Sequence, residues 1–192
     1  MEQNIWVQNQ YRIRKKVIAL TNQYWIEDWN GRILGYSRQK LIRIKEDVRV
    51  FTDESMTTEV FRIQQENIMD AWGTFAVIDS PTGHVVGKIR RRITSNYVWD
   101  EFQLLDANGT QFGKIEESAG RGLARKYVPF GGLVPEHVGL EVNGQRICDI
   151  KQQFKIVGDI WEVDLSAMPT YLDRRVILAS MLMMGMIERE RK

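Results

Sequence analysis

From Val176 to Ile187 the chain carries no charged residue. Apolar side chains there recur one, three and four positions apart, so a helix built on this run has no polar face. Such a helix must be buried on every side. Its 12 residues would extend roughly 18 Å at the helical rise. A bilayer core needs roughly 20 residues. Arg174 and Arg175 precede the run and Glu188 to Lys192 follow it, which blocks extension either way. A core helix is therefore expected, ahead of a membrane anchor or a partner-binding tail. Thr170-Tyr171-Leu172-Asp173 matches a capping box with Asp in the place of Glu, which predicts a helix start near Tyr171.

The rest of the chain has to surround that helix, and it reads as strands and turns. One pattern returns four times: Asp28-Trp29-Asn30-Gly31, Asp79-Ser80-Pro81-Thr82-Gly83, Asp106-Ala107-Asn108-Gly109 and, in weaker form, Asn143-Gly144. Asn-Gly and its relatives supply the positive φ angles of tight hairpins. Four β-hairpins follow, with turns near Asn30, Thr82, Asn108 and Asn143. In the first three a second glycine stands four residues after the first (Gly35, Gly87, Gly113), where a bulge or a close backbone approach is expected. Alternating segments flank the turns, such as Tyr24 and Ile26, Phe75 and Val77, Phe102 and Leu104, and Leu140 and Val142. Ile42 and Ile44 with Val48 and Val50 suggest another hairpin, and Trp161, Val163 and Leu165 a last strand. The total is about twelve strands. Ser118 to Lys126 reads as a short helix or a loop, and Pro129 to Pro135 as a loop.

About twelve antiparallel strands leave two open edges unless the sheet closes. A closed barrel of that size has a lumen too wide for its own side chains to fill. The apolar helix is the segment suited to fill it, and Met168, Met181, Met183, Met184 and Met186 suit irregular gaps. The predicted fold is mainly β: a closed antiparallel barrel of about twelve strands around a hydrophobic C-terminal helix. A two-sheet sandwich with the helix across one open end is the alternative. At 192 residues a single domain over 1–192 is expected.

Few chemical classes remain open. Net charge is +2, from 27 basic and 25 acidic residues, so no nucleic-acid partner is expected. Cys148 is the only cysteine, which excludes an intrachain disulfide or a thiolate metal cluster and fits a reducing cytoplasm. Met1 to Trp6 lacks a signal-peptide pattern. His84 and His137 have no ligand partners at useful spacing. Glu116 and Glu117 adjoin, which on a strand sends them to opposite faces. The chain contains no Gly-x-Ser-x-Gly and no His-Glu-x-x-His, so no catalytic residue, metal site or cofactor is assigned and no enzyme is expected. Two basic clusters stand out. Lys88, Arg90 and Arg92 would share one strand face, with Ile89 and Arg91 on the other. Arg121, Arg125 and Lys126 surround Gly120-Arg121-Gly122. Both suit phosphate groups, behind the plainer readings of a solvated barrel exterior for the first and a flexible loop for the second. Trp25, Trp29 and Trp99 lie near hairpins, where they fit a membrane interface or ordinary packing.

The strings Phe75-Ala76-Val77-Ile78-Asp79 through Gly87-Lys88-Ile89-Arg90-Arg91 and Phe102-Gln103-Leu104-Leu105-Asp106 through Gly113-Lys114-Ile115-Glu116 resemble the phospholipid scramblase and LURP-one-related proteins of the Tubby C-terminal-like superfamily. Tyr11-Arg12-Ile13-Arg14-Lys15-Lys16 with Tyr24-Trp25-Ile26-Glu27-Asp28 is similar to the LURP-one-related start. Leu172-Asp173-Arg174-Arg175 running into the apolar helix resembles the ending of prokaryotic members. The resemblance implies a roughly twelve-stranded barrel threaded by its C-terminal helix. It also implies a non-enzymatic protein that binds phospholipid headgroups or a protein partner through a basic surface, in the cytoplasm or at the membrane periphery. Lipid translocation linked to calcium and a small-molecule-binding barrel are the alternatives. The proline-rich region and cysteine cluster of eukaryotic scramblases are missing from the chain. Asp159 to Asp164 lacks the Asp-x-Asp-x-Asp-Gly spacing that gathers oxygens around calcium.

Overall fold

A computed structural model describes residues 5–18, 21–40, 47–66, 73–93, 100–117, 137–155 and 158–190. After a 3-10 turn at Ile5–Val7 come twelve strands: β1 (Gln10–Ile18), β2 (Thr21–Asp28), β3 (Ile33–Lys40), β4 (Val48–Phe51), β5 (Glu59–Gln65), β6 (Thr74–Asp79), β7 (Val85–Ile93), β8 (Asp100–Leu105), β9 (Gln111–Glu117), β10 (His137–Val142), β11 (Gln145–Lys155) and β12 (Gly158–Asp164). Each is antiparallel to the next, and β1 pairs with β12, so the barrel closes. The sandwich alternative is thereby excluded. The helix α1 (Arg174–Glu190) is enclosed by the barrel. Ile42, Ile44, Trp99, 118–126 and 129–135 lie outside the described residues.

All four expected hairpins are present, and their chemistry is visible. Asp28 Oδ1 accepts the Arg32 N–H at 2.9 Å, and Asp106 Oδ1 accepts the Thr110 N–H at 2.8 Å. The Asp79 carboxylate takes the Thr82 hydroxyl and amide. In the fourth turn Asn143 and Gly144 both sit at positive φ (51° and 76°), as a two-residue hairpin turn requires. In the first three hairpins the register shifts by one residue in the return strand just before Gly35, Gly87 and Gly113. Bulge and close approach thus occur together. At Gly87 an added Cβ would stand 2.5 Å from Val176 Cγ2 and 2.8 Å from the Leu105 carbonyl oxygen. Here the wall touches the helix.

Every described helix side chain from Val176 to Met186, apart from Gly185, is at most 8% exposed. Against them stand Tyr11, Ile13, Tyr24, Ile26, Val50, Phe61, Ile63, Val77, Ile89, Leu104, Ile115, Leu140, Ile150 and Trp161 from the strand faces turned inward. Alternation along each strand sorts these residues inward. The helix start differs from the expected one. Asp173, not Thr170, caps it: its Oδ1 accepts the Arg175 N–H at 2.9 Å, and its carbonyl accepts the Val176 N–H. Tyr171 and Leu172 belong to the preceding turn, where the Leu172 N–H bonds the Pro169 carbonyl.

The antiparallel order sorts the connections. Hairpins 28–33, 51–59, 79–85, 105–111 and 142–145, and the β12–α1 turn, all lie at the end where α1 begins. There the Arg175 guanidinium bridges Asp173 (Nη2 to Oδ2, 2.7 Å) and Asp79. This ties the helix start to the β6–β7 hairpin. Burial would raise the Asp79 carboxyl, but the Thr82 hydroxyl and the Arg175 guanidinium outweigh it and hold it below the usual carboxylate range.

Candidate functional site

The basic stretch of β7 has the expected parity. Ile89 points inward and is fully buried, while Arg91 shares its parity and is half-buried. Lys88, Arg90 and Arg92 face outward. The structure also shows what they touch. Lys88 Nζ is 2.7 Å from Glu66 Oε1. Arg92 Nη1 is 4.0 Å from Glu101 Oε1, its cross-strand neighbour on β8. Arg90 is exposed, donates from Nε to Thr74 Oγ1 at 3.3 Å, and has no ion pair among the described residues. The face therefore holds three cations with two nearby carboxylates, so it is only partly free to meet an external anion. Exposed pairs of this kind are each worth at most about 1 kcal/mol, so an anionic surface can compete for them. Arg121, Arg125 and Lys126 lie outside the described residues.

The other flagged groups fall into place without a site. Glu162 and Asp164 do share a strand face. Glu162 accepts from Arg12 (3.0 and 3.2 Å) and Gln153 (2.8 Å), and Asp164 accepts from Gln10 and Ser166. Among the described residues no group of His, Cys, Asp and Glu could hold a metal ion. His84 is exposed in its turn. Burial pushes the half-buried Cys148 thiol up to about 11, so it is protonated at neutral pH. Trp25 is buried on the outer face, 5.4 Å from the Tyr36 ring, with Arg14 stacked 4.0 Å over it and Glu54 accepting its Nε1–H. Trp29 is 52% exposed beneath Arg12.

The most unusual polar group is one that sequence reading named only within the opening string Tyr11 to Lys16. Lys15 is 4% exposed, on the inner face with Tyr11 and Ile13. Its Nζ donates to the Gly185 carbonyl at 2.7 Å, and the Tyr24 hydroxyl donates to the same oxygen at 3.2 Å. The ammonium lies 5.9 Å from the Tyr24 ring centroid and 5.6 Å from that of Trp161, within cation–π range. A Cβ at Gly185 would stand 3.2 Å from the Trp161 ring. A cation here complements the negative end of the helix dipole. The signal was present in the sequence: Lys15 continues the i, i+2 series of Tyr11 and Ile13.

No family model, curated protein or solved structure matches the chain. The barrel with its enclosed helix is the general architecture that the sequence resemblance implies. No helix among the described residues is long and apolar enough to cross a membrane.

Proposed function

We propose that this chain is a non-enzymatic, scramblase-like or LURP-one-related barrel that binds anionic phospholipid headgroups through its basic outer surface. The observation that carries the reading is the outward row Lys88, Arg90 and Arg92, in which Arg90 is exposed without a carboxylate partner among the described residues. Guanidinium groups match phosphate oxygens in bidentate geometry. The enclosed helix supports a role for the exterior, because its apolar side chains occupy the lumen and offer no reactive group beyond Ser180, whose hydroxyl is returned to the Val176 carbonyl at 2.8 Å.

Co-sedimentation with phosphatidylcholine vesicles, with and without phosphatidylserine, tests the reading. Binding should require the anionic lipid, weaken with salt, and fall when Arg90 and Arg92 are replaced by Gln. Binding to neither vesicle would end it. A fluorescent-lipid scrambling assay on reconstituted protein, with and without calcium, separates binding from translocation; accelerated flipping would favour the scramblase alternative.

A further inference from the structure

At the end of the barrel where α1 begins, a cation is buried without a protein partner. Arg174, the first residue of α1, is 6% exposed. Its guanidinium has no hydrogen bond and no ion pair among the described residues, and its Nε is sealed from solvent. The neighbouring Arg175 takes both carboxylates at this point, Asp173 and Asp79. A buried charge left in that state is strongly unfavourable unless a counter-charge or water meets it. The terminal nitrogens of Arg174, equally without partners, are not sealed, so the group can be reached from outside.

A second orphan lies beside it. Tyr11 on β1 is fully buried, and its hydroxyl has no hydrogen-bond partner among the described residues. Burial pushes this hydroxyl up to about 12; the Arg174 guanidinium pulls it down and the Asp173 carboxylate pushes it up, so both charges stand near it. The Gln8 backbone amide also approaches the phenolic oxygen, without reaching hydrogen-bond geometry. The phenol therefore keeps its proton at neutral pH and is a donor without an acceptor. The first turn of the 17-residue helix adds the positive end of its dipole.

We infer that Arg174 and Tyr11 form a binding site for a small carboxylate at the start of α1. A guanidinium offers Nε–H and Nη–H side by side, a pair that matches the two oxygens of a carboxylate. The Tyr11 hydroxyl supplies a further donor to one of them. Asp173, beside the site, disfavours a dianion such as phosphate more than a monoanion. Bound there, the ligand ties β1 to the start of the helix. The site is separate from the outward row Lys88, Arg90 and Arg92, so it stands or falls without the surface-binding reading.

Thermal melting of the full chain in sodium acetate is the test, with the bulky anion morpholinoethanesulfonate replacing acetate at constant ionic strength. The melting temperature of the wild type should rise with acetate, by about 3–6 °C at a tenfold excess over Kd. Tyr11→Phe should match the wild type without acetate, because it removes a hydroxyl that has no partner. It should bind acetate about tenfold more weakly, the worth of one hydrogen bond to a charged group. Arg174→Met should lose the response altogether. A wild type with no acetate-dependent shift would overturn the site. Equal shifts in the wild type and Tyr11→Phe, a comparison that holds whether or not the Arg174 variant folds, would leave only a general effect of the salt and overturn it as well.

Discussion

Replacing Gly87 with Ala probes the contact between wall and helix. Gly87 does not occupy the left-handed region, so alanine brings no backbone strain. Its cost comes from the new Cβ, 2.5 Å from Val176 Cγ2 and 2.8 Å from the Leu105 oxygen. Overpacking of this kind costs about 1–3 kcal/mol. The lower entropy of the unfolded alanine chain returns about 0.4–1 kcal/mol. A net loss of about 1.3 kcal/mol should lower the melting temperature by about 3–5 °C for a chain of this length. Val176→Ala, at a side chain 1% exposed, deletes two methyl groups at about 0.8 kcal/mol each and leaves a small cavity, a loss of about 2 kcal/mol. In the double variant the clash with Val176 Cγ2 is gone while that with the Leu105 oxygen remains. The two losses should therefore fall short of additivity by about 1 kcal/mol, clearly beyond the ~0.3–0.5 kcal/mol scatter of independent sites. Urea denaturation of the four proteins measures this. Strict additivity would mean that helix and strand do not meet at this point, and would refute the reasoning.

Lys15→Met keeps the length of the side chain but deletes the ammonium over the Gly185 carbonyl. It should cost about 1–2 kcal/mol, the worth of a charged hydrogen bond less the relief of a buried charge. Amide exchange after Leu182 should rise most; unchanged stability and exchange would show that the ammonium holds nothing. Asp79 titrates lower in the folded barrel than in the unfolded chain, so its stabilising share is present above about pH 4 and is lost as pH falls through the folded value. Asp79→Asn should lower stability at neutral pH and flatten the acid limb below about pH 4, as read by denaturation across pH; an unaltered acid limb would contradict the Arg175 bridge.

Much of the fold was legible because it rests on short-range rules. Asp and Asn-Gly set the four hairpins, period-two alternation sorted Tyr24, Phe75, Phe102 and Leu140 inward, and an uncharged helix required enclosure. The helix start was misplaced because Thr170 and Asp173 satisfy a spacing rule that two registers can meet. Asp173 caps the helix start, and the Arg175 it caps also reaches the distant Asp79, a contact that no local pattern shows. The basic row was legible in the parity of Lys88, Arg90 and Arg92. Its partial neutralisation by Glu66 and Glu101 was not, because those partners come from other strands. Lys15 was overlooked for the same kind of reason. A lysine reads as surface until Gly185, 170 positions away, supplies its acceptor.

The central claim is that α1 is the core of the barrel and unfolds only with it. The buried helix side chains are each worth about 1.5–3 kcal/mol, and eight of them (Val176, Ile177, Leu178, Met181, Leu182, Met183, Met184 and Met186) exceed the net stability expected of a whole domain, about 5–15 kcal/mol. Native-state hydrogen exchange on the amides of Leu178 to Leu182 tests this most directly. They should exchange only through global unfolding, with the same opening free energy and denaturant dependence as Val77 in β6 and Ile89 in β7. Exchange of the helix while those strand amides stay protected would contradict the account.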